Sequence, residues 1–169
     1  MDLIEVTVDR VIGNPREEFA VVVRGAGKAF LIFVGEQEAT AIFREMKGMS
    51  FQRPLTHDLM ISMMTAFDIE VRKIVISSIV QNIFCATLLL TQTAATADGP
   101  RKNEVRIDLR ASDAIILALK SKTPIYAARD VVEQVEDVSP HLAAADSMQD
   151  PGSSGTAEPE GDEETGEDP

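Results

Sequence analysis

The sequence predicts an α+β fold in which helices pack on a mainly antiparallel sheet. Segments with the two-residue alternation of strands occur in consecutive groups, and the helical segments between them do not produce a strict β-α-β alternation. The 169 residues are 44% hydrophobic and 26% charged, a balance typical of globular domains. The single cysteine, Cys85, excludes an internal disulfide, so the apolar core of one domain must supply the stability.

The N-terminal part of the chain predicts three strands followed by a helix. Polar and apolar residues alternate over 3–10, which predicts a half-buried strand, and Asn14-Pro15 predicts a turn after it. The apolar runs 19–24 and 29–34 predict a hairpin, because a glycine-containing segment joins them. The helix has apolar residues spaced i, i+3, i+4 and i+7, namely Ala39, Ile42, Phe43 and Met46.

The middle of the chain predicts a second helix and two further strands. Thr56 is a suitable N-cap for a helix that runs to about Phe67. Strands are predicted at about 69–77 and 83–92, with a turn at Gln81-Asn82 between them. The buried side of the helix is predicted to consist of Leu59, Met60, Met63 and Phe67.

The last part of the domain predicts one more strand and a buried helix. The strand covers about 104–109. Ser112 is predicted to cap a helix through 114–119 that is apolar nearly all round, so we expect it to be deeply buried. A short strand at 124–127 and a helical turn from about residue 130 complete the domain.

The order of these elements suggests an internal duplication. Three strands and a helix occupy 3–47, and three strands and a helix recur over 69–121. A shift of 75 positions places the acidic strand–helix turn at 35–39 on the turn at 110–114. We therefore expect two copies of a three-strand-plus-helix unit.

The charge divides the chain into a domain and a tail. Residues 1–136 carry 18 acidic and 16 basic side chains, a net charge of −2. Residues 137–169 carry 10 acidic and no basic side chains, which accounts for most of the net charge of −12. The tail has few large apolar residues to offset its conformational entropy. We predict a domain at 1–137 and a disordered acidic tail at 138–169.

The sequence also bears on location. The N-terminus lacks a basic segment followed by a long apolar one, and the longest purely apolar run, 114–119, is too short to span a bilayer. We expect no signal peptide, no membrane association and a cytoplasmic location.

Two polar clusters are candidates for chemistry, and the first surrounds His57. The chain has no P-loop, HExxH, GxSxG or CxxC motif. In one interpretation Thr56 caps the helix, Asp58 interacts with its dipole and His57 lies on the surface. In the other, His57 and Asp58 lie at a helix N-terminus that favours phosphate, and Arg53 supplies a second anion contact.

The second cluster lies where a strand runs into a helix. Arg106, Asp108 and Arg110 point to one side of the strand, and Asp113 follows in the first turn of the helix. One interpretation is a salt-bridged outer face with a helix cap. The other is a carboxylate site for a divalent cation beside arginines that hold phosphate. Glu36 and Glu38 occupy the equivalent junction of the first half.

The two clusters carry a family resemblance. Four separated segments, in order, resemble the bifunctional nuclease domain family, long classed as a domain of unknown function. These segments are Phe33–Ala39, Arg53–Leu59, Ile107–Ile115 and Pro124–Tyr126. The resemblance covers about residues 1–136 and implies an α+β fold and the hydrolysis of phosphodiester bonds in RNA and DNA. It brings no established set of catalytic residues, and Ala111 stands where the family commonly has proline.

Two hypotheses for function follow. In the first, the protein is a nuclease (an RNase and DNase) that uses Mg²⁺ or Mn²⁺ and takes nucleic acid as its substrate. The candidate catalytic residues are His57, Asp58, Asp108 and Asp113; the candidate phosphate-binding residues are Arg53, Arg106 and Arg110; and the candidate metal ligands are Asp108, Asp113 and Glu38. In the second hypothesis, the domain is a non-catalytic binding or regulatory module. The apolar strands also suggest a homo-oligomer.

Overall fold

The computed structural model describes residues 2–13, 18–96 and 99–149, and it forms an α+β fold around one seven-stranded sheet. The strands are β1 (Leu3–Ile12), β2 (Phe19–Gly25), β3 (Lys28–Val34), β4 (Ile69–Val80), β5 (Ile83–Thr96), β6 (Gly99–Arg110) and β7 (Ile125–Ala128). The helices are α1 (Glu36–Met46), α2 (Thr56–Ala66), α3 (Ala111–Ser121), α4 (Arg129–Gln134) and α5 (Ser139–Gln149). The turn predicted at Asn14-Pro15 lies outside the described residues.

The sheet has the order β3-β2-β1-β7-β4-β5-β6 and is mostly antiparallel, as predicted. Two antiparallel meanders, β1-β2-β3 and β4-β5-β6, flank the short strand β7. Strand β7 pairs antiparallel with β1 and parallel with β4. One parallel contact therefore joins the two meanders into one sheet.

Each meander leads into a helix at its outer strand. Helix α1 follows β3 and helix α3 follows β6, and both the first and the last residues of the two helices are 75 positions apart. The three-strand-plus-helix arrangement thus occurs twice in the fold. A common origin of the two halves stays a prediction.

The core lies where α3 packs on the sheet. Seven residues of α3 are buried, which confirms that this helix is enclosed nearly all round. Six of them, all but Ser112, belong to a single hydrophobic core with buried side chains of β2, β3, β4 and β5. The largest fully buried residues of α3 are Ile115, Ile116 and Leu117.

The helix caps differ from the predictions by one or two residues. Leu55 and Arg110 have the extended backbone of N-caps, whereas Thr56 and Ser112 lie inside the first turns of α2 and α3. The carboxylate of Asp58 accepts the Leu55 N–H at 2.8 Å, which replaces a hydroxyl cap. Ser112 is buried inside the first turn because β6 runs directly into α3.

The predicted buried side of α2 is wrong. Partial burial against the core occurs instead at Ile61 and Met64, three positions apart. A helix that is apolar on most of its circumference has no single stripe, so its periodicity cannot select the face that packs. The four residues predicted to be buried are all exposed: Leu59, Met60, Met63 and Phe67. In α1, Phe43 is exposed, while Ala39 and Ile42 are buried.

One compact unit ends at Ser139, and the described residues from Pro140 onward belong to a second unit. Helix α5 occupies Ser139–Gln149, in a stretch where composition predicts a disordered tail. Its central alanines have the highest helix propensity of any residue, which favours this helix. Residues 150–169 lie outside the described part of the chain, and the domain boundary at 137 stays a prediction.

Candidate active site

A groove of about 770 Å³ lies between α1, α2, α3 and the end of β6. We call it the His57 groove. Helices α1 and α3 run in the same direction. Arg110 and Glu38 form an ion pair near the starts of the two helices, and Lys120 and Glu45 form one near their ends. Its polar lining comes mainly from Glu38, His57, Arg110 and Asp113, and its apolar lining includes Leu55, Met60, Leu109 and Ile116.

Asp113 is the centre of the polar lining. Its two carboxylate oxygens accept hydrogen bonds from Nε and Nη2 of Arg110, at 2.8 and 3.2 Å. Nε2 of His57 lies 3.2 Å from Oδ1 of the same carboxylate. Burial acts to raise the pKa of Asp113, but the bonds from Arg110 and His57 outweigh it, and the pKa falls below its ordinary value. Asp113 is therefore ionised at neutral pH.

Arg110 links Asp113 to the first half of the chain. Its Nη2 lies 3.0 Å from Oε1 of Glu38, near the start of α1. The hydrogen bonds that Arg110 donates to Asp113 and the charge of that carboxylate, and then the charge of Glu38, raise the pKa of Arg110 above its ordinary value. The side chain is 63% exposed, and Nη1 takes part in none of these bonds. Arg110 thus presents a positive donor to the groove in a fixed orientation.

His57 lies in the first turn of α2 with its ring 21% exposed. A carboxylate can only accept hydrogen bonds, so contact with Asp113 assigns the proton of the neutral ring to Nε2. Nδ1 then carries the lone pair. A histidine held in one tautomer by an ionised carboxylate is a suitable proton acceptor for catalysis.

A second ion cluster joins the C-terminal ends of α1 and α3 to the first turn of α2. Nζ of Lys120 lies 2.6 Å from Oε1 of Glu45 and also donates to Asp58. The bond from Lys120, followed by the Leu55 N–H, lowers the pKa of Asp58. Asp58 lines an adjacent cleft with Lys120, and it is not among the residues that line the His57 groove. These contacts give Asp58 a structural role in holding α2 to α3.

Sequence reasoning did not identify Glu45 and Lys120. These two residues lie near the C-terminal ends of α1 and α3, 75 positions apart, and form an ion pair with each other. A lysine directly after the apolar run Ala114–Leu119 of α3 is the signal that could have indicated Lys120.

Besides Asp58, three further predicted site residues lie outside the groove lining. Asp108 is exposed on β6, opposite Thr87 of β5. Arg106 is also exposed on β6, and its Nη2 lies 3.6 Å from Oε1 of Glu104. Arg53 is exposed in the segment that connects α1 to α2. Alternation along a strand places Arg106 and Asp108 on one face, but only Arg110, at the strand end, reaches α1 and α3.

The predicted metal ligands do not form a ready-made site. Glu38 and Asp113 both bind Arg110, and Asp108 is not among the groove residues. Across residues 2–13, 18–96 and 99–149, no group of three or more His, Cys, Asp or Glu side chains could hold a metal ion. The same part of the chain contains no helix long and apolar enough to cross a membrane.

Comparison with known proteins shows the family to which the chain belongs. The model of the bifunctional nuclease domain matches residues 21–139. Uncharacterized proteins from two strains of Mycobacterium tuberculosis are each 29% identical over 131 residues, 74% of this chain and 73% of theirs. Bifunctional nuclease 2 of Oryza sativa subsp. japonica is 28% identical over 137 residues, 78% of this chain and 41% of the rice protein. This chain belongs to the bifunctional nuclease domain family.

Proposed function

We propose that the protein is a nuclease that hydrolyses phosphodiester bonds in RNA and DNA at the His57 groove. The observation that carries the proposal is the contact of one carboxylate, Asp113, with both a histidine and an arginine. Such an arrangement combines a proton acceptor with a phosphate-binding cation. Membership of the bifunctional nuclease domain family and the name of the rice relative support the same activity.

The proposed chemistry assigns one task to each side chain. Nδ1 of His57 removes a proton from the attacking water or from the 2′-hydroxyl of RNA. The new bond to phosphorus forms as the bond to the leaving oxygen breaks, and the imidazolium gives its proton to that oxygen. Asp113 orients the ring and stabilises the imidazolium that results. Nη1 of Arg110 binds a phosphate oxygen and stabilises the negative charge that grows on it. Glu38 is a positioning residue, since it holds Arg110 from the opposite side.

The use of Mg²⁺ or Mn²⁺ stays a prediction. The carboxylates of Glu38 and Asp113 are already engaged by Arg110, and a metal would have to compete with that guanidinium. None of the steps above passes through a metal. A cleavage assay with and without EDTA tests this part of the prediction separately from the roles of the side chains.

The test compares matched variants of the full chain on single-stranded RNA and DNA. We expect His57→Gln and Asp113→Asn each to slow cleavage by about 10²–10⁴-fold, the usual contribution of general acid–base catalysis. Asp130→Asn is the control, because it makes the same chemical change at an exposed position on α4. Circular dichroism checks that each variant is folded. Equal cleavage by all four proteins would show that the activity does not arise at this groove.

A second candidate function is a non-catalytic binding module. The observation that favours it is that the polar groups of the groove already bind one another. Arg110 pairs with Asp113 and Glu38, and His57 contacts Asp113. Residues 1–136 are also slightly acidic overall, which does not favour strong attraction to nucleic acid. In this case, purified protein cleaves no faster than the Asp113→Asn variant and instead retains a defined partner in pull-down experiments.

A further inference from the structure

The cleft that Asp58 and Lys120 line adjoins the His57 groove and has a volume of about 450 Å³. We call it the Phe51 cleft. Five residues line both cavities, so the groove and the cleft are neighbouring parts of one surface. These shared residues are Ala41, Pro54, Leu55, His57 and Ile116. A ligand held in the His57 groove can therefore extend directly into the Phe51 cleft.

Arg44 and Phe51 form a cation–π pair on the wall of the cleft. Cζ of Arg44 lies over the Phe51 ring, 3.9 Å from its centroid, and the Phe51 side chain is 46% exposed. Within the described part of the chain, the Arg44 guanidinium forms no ion pair. We call this pair the Arg44–Phe51 platform, because aromatic rings and guanidinium planes are the groups on which proteins stack nucleobases.

The end of α1 holds the platform in place. Gly48 has a left-handed backbone with φ of +65°, and its N–H donates to the Glu45 carbonyl at 3.1 Å. The N–H of Met49 donates to the Arg44 carbonyl at 2.9 Å. These two bonds form a Schellman motif, which turns the chain back at the helix C-terminus and brings Phe51 over Arg44. The platform is therefore preformed, so a ligand does not have to order it.

The charges that line the Phe51 cleft favour an uncharged ligand. Arg44 and Lys120 balance Glu45 and Asp58, so the lining has no net charge when the histidine ring is neutral. The His57 groove differs, because Arg110 presents a positive donor there. A phosphate therefore suits the groove, and a flat, uncharged ring suits the cleft beside it. A nucleotide combines both groups.

We propose that the Phe51 cleft binds one nucleobase of the nucleic-acid substrate, stacked on the Arg44–Phe51 platform, while the adjoining phosphate lies against Arg110 in the His57 groove. This inference rests on the proposed function and adds a binding site for the substrate to it. Every base has a π-face, so stacking tolerates any sequence. The platform would thus position a strand for cleavage without reading its bases.

Two single-stranded DNA oligonucleotides of equal length test the site. One carries its bases, and the other keeps the phosphates but has an abasic analogue at every position. Full-length His57→Gln, in which the proposed chemistry is blocked, serves as the parent, and fluorescence anisotropy measures Kd. We expect the parent to prefer the strand with bases. Adding Phe51→Ala should weaken binding of that strand by about 5–150-fold, the loss typical of one stacked base, and leave binding of the abasic strand unchanged.

Two further variants separate stacking from a loss of folded structure. Phe67→Ala makes the same change at a residue that is 63% exposed at the end of α2 and lines neither cavity, so it should bind as the parent does. Phe51→Trp keeps an aromatic face and should retain the preference. Equal affinity of the parent for the two strands, no binding of either strand, or an equal loss on both with Phe51→Ala would overturn the base site.

Arg44→Lys tests the other half of the platform, because it keeps the positive charge and removes the planar group. We expect the preference for the strand with bases to fall. Affinity for the abasic strand, and its dependence on salt concentration, should stay those of the parent, since the number of charges is unchanged. A purely electrostatic role of Arg44 would leave the preference as it is in the parent, and this result would contradict stacking on the guanidinium.

Cleavage by the wild-type protein and by Asp113→Asn reports separately on the proposed function. A parent that prefers bases, together with a wild-type protein that cleaves no faster than Asp113→Asn, would support the base site and refute the nuclease. Cleavage that depends on Asp113, together with equal binding of the two strands, would support the nuclease and refute the base site.

Discussion

At the scale of single residues, three carboxylates occupy the same position in three helices. Glu38, Asp58 and Asp113 are each the third residue of their helix, where the positive end of the helix dipole favours an acidic side chain. Each also binds a basic residue of β6 or α3: Glu38 and Asp113 bind Arg110, and Asp58 binds Lys120. Arg110 therefore joins the starts of α1 and α3, and Lys120 joins the start of α2 to the end of α3.

These contacts make stability depend on pH in a predictable direction. The folded-state pKa of Asp58 lies below its ordinary value of 3.8, so the ionised group stabilises the fold above that pH and loses its effect as the pH falls through the folded-state pKa. Lys120 has the opposite sign: burial opposes the shift, but Asp58 and Glu45 raise its pKa above 10.5. Its contribution is complete below 10.5 and is lost as the pH rises through the raised pKa.

We predict that the free energy of unfolding of Asp58→Asn lies about 1 kcal/mol below that of the wild-type protein at neutral pH, a value limited by solvent screening of this partly exposed pair. The gap should close as the pH falls below about 4, because the wild-type carboxylate then becomes protonated. Urea unfolding across this pH range measures it. A gap that stays constant into strong acid would show that the charge of Asp58 does not stabilise the fold.

At the scale of secondary-structure elements, two apolar helices have different environments. Helix α3 is enclosed by the sheet and by α1 and α2, and Ile115 is fully buried. Helix α2 lies at the margin, and Leu59 is exposed. The amino-acid composition of α2 alone does not reveal this, because its apolar residues surround most of its circumference.

We predict that Ile115→Ala lowers the free energy of unfolding by about 2–5 kcal/mol, the usual cost of a cavity in a packed core. Leu59→Ala should change it by no more than about 0.5 kcal/mol, as is usual for surface positions. Urea denaturation of the two variants provides the comparison. A similar loss in both would mean that the outer side of α2 is buried in solution.

At the scale of the whole molecule, the two edge strands of the sheet, β3 and β6, differ in how far other residues cover them. Residues 137–139 cover β3 at Ala29, whereas Val105 and Ile107 of β6, the other terminal strand, are exposed. Residues 137–139, which bind Ala29 of β3, lie at the domain boundary that charge and composition predict near residue 137. A domain that ends at 137 would include part of this cover and omit Ser139.

We predict that a chain ending at residue 139 unfolds at the same temperature as the full-length protein, whereas a chain ending at 136 unfolds at a lower one. The shorter chain loses the contacts of Asp137, Val138 and Ser139 with Ala29, which leaves backbone groups of β3 without these partners. Thermal unfolding followed by circular dichroism measures the difference. Equal midpoints for all three chains would show that this cover contributes nothing to stability.

The sequence by itself determined the fold class, the antiparallel strands, the buried helix α3 and four of the residues around the groove. Local periodicity and composition encode these features, since each depends on which face of one element is apolar. The tertiary structure alone decided which polar residues meet. His57 contacts Asp113, 56 positions away. Asp108 lies outside the His57 groove, and Asp58 forms an ion pair with Lys120. Polar partners depend on how distant elements pack, and no local pattern records that arrangement.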